Sequence, residues 1–339
     1  MSVNKIYNYW RSGFEKSGIK PQIVEDYLNY IKPLLINGVP IIFDFNQLCL
    51  LLGKNTSYLA SVINSNSSHY REFCIAKRNG GKRIISAPFP ALLECQKWIY
   101  DKIISKASIH TSAHGFTYNK SIITNSKVHV GQNHFLKIDL KDFFPSITIN
   151  QVINIFKSLG YTHKVSFYLA SICCCGDRLP QGAPTSPMIS NIVAKTLDNR
   201  LMKFAKRFNL KYSRYADDIA FSGDFIPVKY IEYITNIINS CNFIVNENKT
   251  ILQHEKHKRI VTGISISKNE IKIPREYKRN LKLEIHCIRK HGILGHMRKN
   301  KIKNPSYLTS IIGKIHFWLS VEPNNNYAKL ALFDLTKKN

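Results

Sequence analysis

The stretch Arg214-Tyr215-Ala216-Asp217-Asp218-Ile219-Ala220-Phe221-Ser222 places two carboxylates side by side between two runs that favour strands, 211–215 and 219–222. Adjacent carboxylates repel each other, so they are seldom buried together unless a cation lies between them. A solvated hairpin turn is the alternative, because aspartate is common in turns. The pair therefore indicates either a metal site or an exposed turn.

A second run, Phe135-Leu136-Lys137-Ile138-Asp139-Leu140-Lys141-Asp142-Phe143-Phe144, also leads from apolar residues into acids. Side chains alternate along a strand, so Leu136 and Ile138 are predicted to face the core and Asp139 the wet face. If this strand lies beside the Asp217-Asp218 hairpin, three carboxylates converge. Such a set can hold two divalent ions about 3.5–4 Å apart for in-line phosphoryl transfer.

The whole chain is strongly basic. Its 339 residues include 49 Lys and Arg against 22 Asp and Glu, a formal net charge of +27. This excess favours a polyanionic partner, with nucleic acid as the first candidate. A basic membrane-surface protein is the alternative, but the sequence has no apolar run of about 18 residues and no basic amphipathic N-terminal helix, so no membrane association is expected.

The cysteines indicate the redox compartment. There are eight of them, and residues 1–14 lack the apolar core of a signal peptide. We therefore expect reduced thiols in a soluble, cytoplasmic protein. The run Cys173-Cys174-Cys175 has no C-x-x-C partner, which favours buried helix positions over a zinc site.

Four motifs in this order resemble the reverse transcriptases. Asp139-x-x-x-Phe143 comes first, Leu179-Pro180-Gln181-Gly182 follows, and Tyr215-Ala216-Asp217-Asp218 comes next. The resemblance implies an α+β right-hand polymerase with fingers, a palm built on an antiparallel sheet and a helical thumb. It also implies two Mg²⁺ ions held by Asp139, Asp217, Asp218 and the backbone oxygen of Leu140.

Two shorter elements resemble the retron branch of this family. They are Asn125-x-x-x-His129, just ahead of the first acidic strand, and Val261-Thr262-Gly263. By the resemblance, both contact RNA. A lone histidine is more often a structural group, and that alternative stays open for His129.

The domain limits follow the motifs. Residues 1–70 are predicted to be a helical N-terminal extension, for which a helix-turn-helix at Gly53-Lys54-Asn55-Thr56 is the less favoured alternative. Residues 71–135 form the fingers with a basic hairpin at 71–88, and residues 136–265 form the palm with finger helices inserted around 149–178. Residues 266–339 form a helical, basic thumb.

The resemblance also assigns the nucleotide site. Lys77, Arg78, Lys82 and Arg83 cluster at the tip of the fingers hairpin, either as a solvated loop or as a triphosphate clamp. Of Lys82 and Arg83 we favour Arg83, because a guanidinium grips two phosphate oxygens. The remaining assignments are backbone amides of Asp142 and Phe143 at the triphosphate, Phe144 under the sugar, Gln181 against the nucleotide, and Lys249 as general acid for pyrophosphate.

The thumb carries an excess of cations from residue 275 to 303. Apolar residues recur there at helical spacing, so a helix with an apolar inner face and a cationic outer face is predicted. A solvated helix is the alternative to RNA binding. The predicted RNA-binding cations are Arg275, Lys278, Arg279, Lys282, Arg289, Lys290, Arg298 and Lys299.

Three helices are predicted in detail. One helix runs over residues 90–107, and Thr148 with Gln151 forms a capping box for the next one. A long helix starts with Ser186 as N-cap and Pro187 at the first position, with its apolar stripe extending to Leu201.

These observations together predict a retron reverse transcriptase. By the resemblance, it copies a dedicated structured non-coding RNA, starts from a guanosine 2′-hydroxyl, uses deoxynucleoside triphosphates and yields branched multicopy single-stranded DNA (msDNA). It would act in anti-phage defence with a separate effector (toxin) protein. Two alternatives remain: an abortive-infection or group II intron-like reverse transcriptase, and a non-catalytic RNA-binding scaffold for an effector.

Overall fold

The computed structural model describes residues 3–76, 80–254, 259–267 and 269–337. Lys77 and Arg78 of the predicted hairpin tip lie outside the described residues. The helices are α1 (Val3–Lys16), α2 (Pro21–Ile36), α3 (Phe45–Leu52), α4 (Thr56–Asn64), α5 (Pro90–Lys102), α6 (Ile122–Lys127), α7 (Ile149–Ser158), α8 (His163–Cys173), α9 (Ser186–Val193), α10 (Lys195–Arg207), α11 (Lys229–Asn239), α12 (Arg275–Lys299), α13 (Tyr307–Val321) and α14 (Asn326–Lys337). The strands are β1 (Tyr70–Ala76), β2 (Lys82–Pro88), β3 (His134–Asp139), β4 (Lys211–Tyr215), β5 (Asp218–Gly223), β6 (Ile251–Gln253), β7 (Arg259–Val261), β8 (Ile264–Ile266) and β9 (Ile271–Lys272).

A four-stranded antiparallel sheet lies at the centre, in the order β4-β5-β3-β6. Leu136 and Ile138 of β3 are fully buried, as the alternation in the sequence predicts. The register pairs Asp139 with Asp218 and Tyr215 with Asp218. Three sequence-distant segments therefore end at one edge of this sheet.

The fingers hairpin and the third sheet are smaller. β1 pairs with β2 in an antiparallel register that sets Ile75 opposite Arg83 and Phe73 opposite Ile85. The strands β7, β8 and β9 form a separate meander. Its first turn is Thr262-Gly263, where both residues have positive φ, 45° and 84°, as a two-residue hairpin turn requires.

Two helix predictions need correction, and one is confirmed. The Thr148–Gln151 capping box is present at the start of α7. The helix expected over 90–107 ends at Lys102, where the β-branched pair Ile103-Ile104 leaves the helix and both side chains become fully buried.

The long helix expected from Ser186 is two helices. It is broken at Ala194, whose ψ of −4° departs from helical geometry directly after the β-branched residue Val193. The N-cap position is Thr185, so Ser186 lies inside the first turn. The break leaves Ala194 fully buried between the two helices.

The buried apolar residues form two cores. The larger one joins α2 to α5, the central sheet and α7 to α11, and it includes Leu136, Ile138 and Phe221. The second joins β7 to β9 with α12, α13 and α14, and it includes Trp318. The helix α12 is kinked at Gly292 (φ 69°, ψ 164°), so its last turns run in a new direction. In the described part of the chain, no helix has both the length and the apolar character that crossing a membrane requires.

Candidate active site

The turn between β4 and β5 presents the paired acids, and we call residues 215–218 the acid turn. Its first central residue, Ala216, has a φ of +55°, in the left-handed region that few residues other than glycine adopt. The Leu140 amide donates to the Asp217 carbonyl at 3.0 Å, which joins the turn to the end of β3. The chain therefore fixes Asp217 and Asp218 next to Asp139.

The three carboxylates influence one another. Burial, followed by the charges of Asp218 and Asp139, raises the pKa of Asp217 above its ordinary value. Asp139 is 6% exposed, and its Oδ1 accepts hydrogen bonds from Lys249 Nζ at 2.9 Å and Asn246 Nδ2 at 3.0 Å. Negative charge is thus concentrated at this edge of the sheet.

Two lysines partly balance that charge. Lys249 pairs with Asp139, and the hydrogen bond to this carboxylate raises the pKa of Lys249. Lys137 pairs with Asp218, with Nζ 2.8 Å from Oδ1. The sequence analysis gave Lys137 and Asn246 no role; for Lys137 the available signal was its position two residues before Asp139, on the same strand face.

The donor set suits a divalent metal ion, although it is not arranged as a finished site. Within the described ranges, no group of three or more His, Cys, Asp or Glu side chains is placed to hold a metal. Asp139 and Asp218 each have one oxygen in an ion pair, which leaves the other oxygen of each and both oxygens of Asp217 for a cation. Carboxylate oxygens are hard ligands of the kind that Mg²⁺ and Mn²⁺ prefer, and the raised pKa of Asp217 shows that a cation there would relieve repulsion.

The residues predicted for the nucleotide are grouped near the acid turn. Phe143 is buried and packs on Phe243, while Phe144 is half-buried. The Phe144 ring lies 6.1 Å from that of Phe116, and Phe116 lies 6.4 Å from Tyr215. Phe116, which is 47% exposed, therefore joins this aromatic group, and the sequence analysis gave it no role.

The Gln181-Gly182 turn rests against the fingers hairpin. The Ser86 amide of β2 donates to the Gln181 carbonyl at 2.9 Å. A Cβ on Gly182 (φ +136°) would lie 2.9 Å from Ile85 Cγ2 and from the Ser86 carbonyl oxygen, so only glycine fits this close approach.

The strand register separates the two candidate cations of β2. Arg83 lies on the same strand face as Ile85, which contacts Gly182, whereas Lys82 lies on the opposite face. Both side chains are exposed. This placement favours Arg83 over Lys82 for a ligand beside Gln181.

Comparison with known proteins identifies the family. Residues 75–276 match the family model described as reverse transcriptase (RNA-dependent DNA polymerase). The retron Ec86 reverse transcriptase of Escherichia coli is 34% identical over 267 residues, which cover 78% of this chain and 83% of that protein. The chain belongs to the retron reverse transcriptases. The retron Ec83 reverse transcriptase of Escherichia coli is 30% identical over 277 residues, covering 76% of this chain and 84% of that protein.

The family match confirms the predicted α+β right-hand polymerase fold and the RNA-directed DNA polymerase activity. Among solved structures, telomerase from Candida albicans in complex with a TWJ fragment of telomeric RNA has a TM-score of 0.43 at 11% identity. That similarity covers 79% of this chain and 63% of the telomerase chain.

The two retron elements of this reverse transcriptase meet inside the protein. Asn125 Nδ2 lies 3.4 Å from Thr262 Oγ1, and Ser126 Oγ donates to the Val261 carbonyl at 3.0 Å. Asn125 and Val261 are buried, and Gly263 is exposed at the tip of the turn. The structure therefore places the Asn125 and Val261 side chains where they support the β7–β8 hairpin, and contact with RNA remains a prediction for them.

His129 of the retron reverse transcriptase is fully buried behind the central sheet. Its two ring nitrogens lie 2.7 Å from Ser222 Oγ and 2.8 Å from Ser213 Oγ. Burial, with the neighbouring His114, lowers the pKa of His129 to about 3. The neutral ring therefore bridges β4 and β5, and a direct contact with RNA is not available to it in this arrangement.

The predicted RNA-binding cations of the thumb fall into two groups. Three of them face other thumb residues: Lys278 pairs with Glu322 at 2.6 Å, Arg289 pairs with Asp334 at 2.6 Å, and Lys282 lies 4.6 Å from the Tyr327 ring centre. The others are exposed and make no ion pair within the described part of the thumb: Arg275, Arg279, Lys290, Arg298 and Lys299.

Proposed function

We propose that this retron reverse transcriptase copies a dedicated structured non-coding RNA, starting from the 2′-hydroxyl of a guanosine in that RNA. The product is msDNA, a branched RNA–DNA molecule. The observation that carries the proposal is the register of the central sheet, which sets Asp139 opposite Asp218 with Asp217 beside them. The retron relatives support the choice of a structured RNA as template and primer.

Asp139, Asp217, Asp218 and the Leu140 carbonyl would hold two Mg²⁺ ions. When bound, such ions activate the attacking hydroxyl and stabilise the charge on the leaving pyrophosphate. The protein holds the acids for this at the ends of β3 and β5, with Leu140 tied to Asp217 through a backbone hydrogen bond.

Lys249 acts as the general acid in this proposal. Its ammonium is 57% exposed and is hydrogen-bonded to Asp139, which raises its pKa and keeps it protonated at neutral pH. A proton on Nζ can therefore pass to the departing pyrophosphate. The position is one ion pair away from the acid turn, within reach of a phosphate chain bound there.

The remaining side chains orient the nucleotide. Arg83 binds the triphosphate from the fingers, and Gln181 lies beside it, where the Gln181 backbone is joined to β2. The backbone amides of Asp142 and Phe143 face the phosphates, and the half-buried Phe144 ring packs under the sugar and excludes a 2′-hydroxyl. Selection of deoxynucleotides follows from that clash.

The biological setting is part of the same proposal. The chain acts in the cytoplasm in an anti-phage defence system, together with its msDNA and a separate effector protein. The retron relatives support this setting only through the family, and the chain's excess of 27 positive charges supports a nucleic-acid partner.

The test is to express the chain with the DNA that lies upstream of its gene, extract nucleic acid and treat it with a debranching enzyme. We expect a single-stranded DNA whose mobility changes on debranching, and none in cells that carry Asp217→Asn at equal protein level. DNA made without a branch would favour an abortive-infection or group II intron-like enzyme. Phage protection that survives in Asp217→Asn would favour a non-catalytic scaffold.

A further inference from the structure

Arg214, one residue ahead of the acid turn, is fully buried in β4. Arginine is rarely buried to this extent unless its charge is paired. Its Nε donates to Asp198 Oδ1 at 2.7 Å and its Nη2 donates to Asp198 Oδ2 at 2.6 Å, a two-pronged ion pair with a side chain of α10 that is itself fully buried. This geometry fixes the plane of the guanidinium.

The remaining nitrogen of Arg214 points back at the acid turn. Nη1 donates to the Ala216 carbonyl at 3.1 Å and to Asn191 Oδ1 at 3.1 Å. Ala216 is the residue with the left-handed φ, and its carbonyl directly precedes Asp217. A backbone conformation of this kind persists only where the surrounding structure holds it, and Arg214 supplies one of those restraints.

A second restraint comes from a loop beneath the acid turn. The Asn191 side chain, which accepts from Arg214, donates to the Gly115 carbonyl at 2.8 Å. Gly115 lies so close to the turn that a Cβ built on it would be 2.7 Å from the Ala216 nitrogen. The guanidinium also lies 5.8 Å from the Phe143 ring, next to the segment that follows Asp139. One buried cation is thus bonded to or packed against α9, α10, the acid turn and the segment after β3.

We propose that Arg214 is a positioning residue for the acid turn: by holding the Ala216 carbonyl, it fixes the directions in which Asp217 and Asp218 present their carboxylates to divalent metal ions. The proposal rests on the proposed metal site. It assigns Asp198 and Asn191 to the same task, because they orient the guanidinium.

A purely stabilising role would have different consequences. A buried ion pair can often be replaced by apolar side chains of similar volume with little loss of stability, provided both partners are replaced together. The pair Arg214→Met with Asp198→Leu removes both charges and leaves no unpaired charge in the core, but it also removes the bond to Ala216. Stability and turn geometry are therefore separable in this double variant.

The matched control is Tyr212→Phe. The Tyr212 hydroxyl donates to the same Asp198 Oδ1 at 2.6 Å from the same strand. Its removal takes away one buried hydrogen bond and leaves each bond of Arg214 in place. A second variant, Arg214→Lys, keeps a positive charge opposite Asp198, which protects the fold, but an ammonium cannot bond both Asp198 oxygens and the turn together.

The experiment measures Mn²⁺ binding by electron paramagnetic resonance in the absence of nucleic acid, together with the thermal melting curve and the kinetics of single-nucleotide extension. For the double variant and for Arg214→Lys we expect cooperative melting, Mn²⁺ binding weakened about 10-fold, and an extension kcat lowered about 10- to 100-fold with the KM for nucleotide within about 2-fold. Tyr212→Phe is expected to bind Mn²⁺ and extend within about 2-fold of the unchanged protein.

Wild-type Mn²⁺ affinity in either folded Arg214 variant overturns the proposal, as does a loss of equal size in Tyr212→Phe. If the double variant does not fold, Arg214→Lys alone decides the matter by the same criteria. Failure of the proposed function is distinguishable, because the unchanged protein would then neither bind Mn²⁺ at the acid turn nor extend a primer.

Discussion

The palm and the thumb of this chain differ in where they keep their charges. In the palm, Arg214 and Asp198 are both fully buried and bonded to each other. In the thumb, the side chains of Arg289 and Asp334 remain 36% and 44% exposed although they form an ion pair. Buried charges have fixed positions and can set the geometry of a site, whereas exposed pairs contribute little stability and remain available to a polyanion. The comparison leads to predictions that differ between the two regions.

The most severe test of the palm is Gly115→Ala. The added Cβ would lie 2.7 Å from the Ala216 nitrogen and 3.2 Å from the Tyr215 carbonyl carbon, both backbone atoms that must shift. We expect the displaced acid turn to lower the rate of nucleotide addition about 10- to 100-fold, measured by single-turnover primer extension on an RNA template.

Gly313→Ala is the matched control for this change. Gly313 lies in α13 of the thumb, and a Cβ there meets nothing within 4 Å. We expect an unchanged extension rate and a gain of roughly 0.5–1 kcal/mol in the free energy of unfolding, because glycine disfavours helix interiors. Equal losses of activity in the two variants would contradict the close support of the acid turn.

The buried histidine of the palm predicts a specific response to acid. The folded protein holds the pKa of His129 at about 3, and burial also lowers the pKa of His114 to about 4, whereas both rings bind protons near pH 6.5 when unfolded. The unfolded state therefore gains more protons as the pH falls. The free energy of unfolding should be constant above about pH 7 and fall between pH 6.5 and 4, by up to about 1.4 kcal/mol per pH unit for each ring.

Urea unfolding at a series of pH values measures this dependence. His129→Gln should lower the free energy of unfolding at pH 7.5, because the bridge between Ser213 and Ser222 is changed, but its stability should fall less steeply below pH 6.5. A variant whose curve runs parallel to that of the unchanged protein would show that His129 is not the buried neutral group described above.

The smallest effects are expected in the thumb, where two pairs of substitutions can be compared at equal charge. Arg279→Gln with Lys290→Gln removes two exposed cations, and Lys278→Gln with Arg289→Gln removes two that are paired with Glu322 and Asp334. We expect the first pair to weaken RNA binding about 10-fold at 0.15 M salt and to reduce the slope of log affinity against log salt by about 1.5. The second pair should weaken binding by less than about 3-fold.

Fluorescence anisotropy with a labelled structured RNA at several salt concentrations makes this measurement. Equal losses from the two pairs would remove the distinction between exposed and paired thumb cations. The unaffected control is extension activity at saturating RNA, since none of the four residues lies near the acid turn.

The sequence was informative where a few neighbouring residues decide the structure. Alternation in β3 and the acids of the β4–β5 turn are local, and the structure confirms the sheet that they predict. The break at Ala194 was not predictable from periodicity, because the apolar stripe continues through it. It depends on the packing of α9 and α10 as a pair.

Long-range contacts explain what the sequence did not reveal about the site. Arg214 reads as a surface cation in a basic chain, and its burial depends on Asp198 and Asn191, which only the fold brings to it. In the same way, Asn125 and Thr262 are 137 residues apart in the chain, so nothing local links the two retron elements.

The most direct test of the account is the coupling between Asp139 and Asp217 in single-turnover extension of a primed RNA. If the two acids act in one metal centre, Asp139→Asn and Asp217→Asn should each lower the rate by about 10³-fold or more, and the double variant should be no slower than the slower single variant. Losses that multiply in the double variant, or a single variant that extends at the unchanged rate, would contradict a shared centre at the edge of the central sheet.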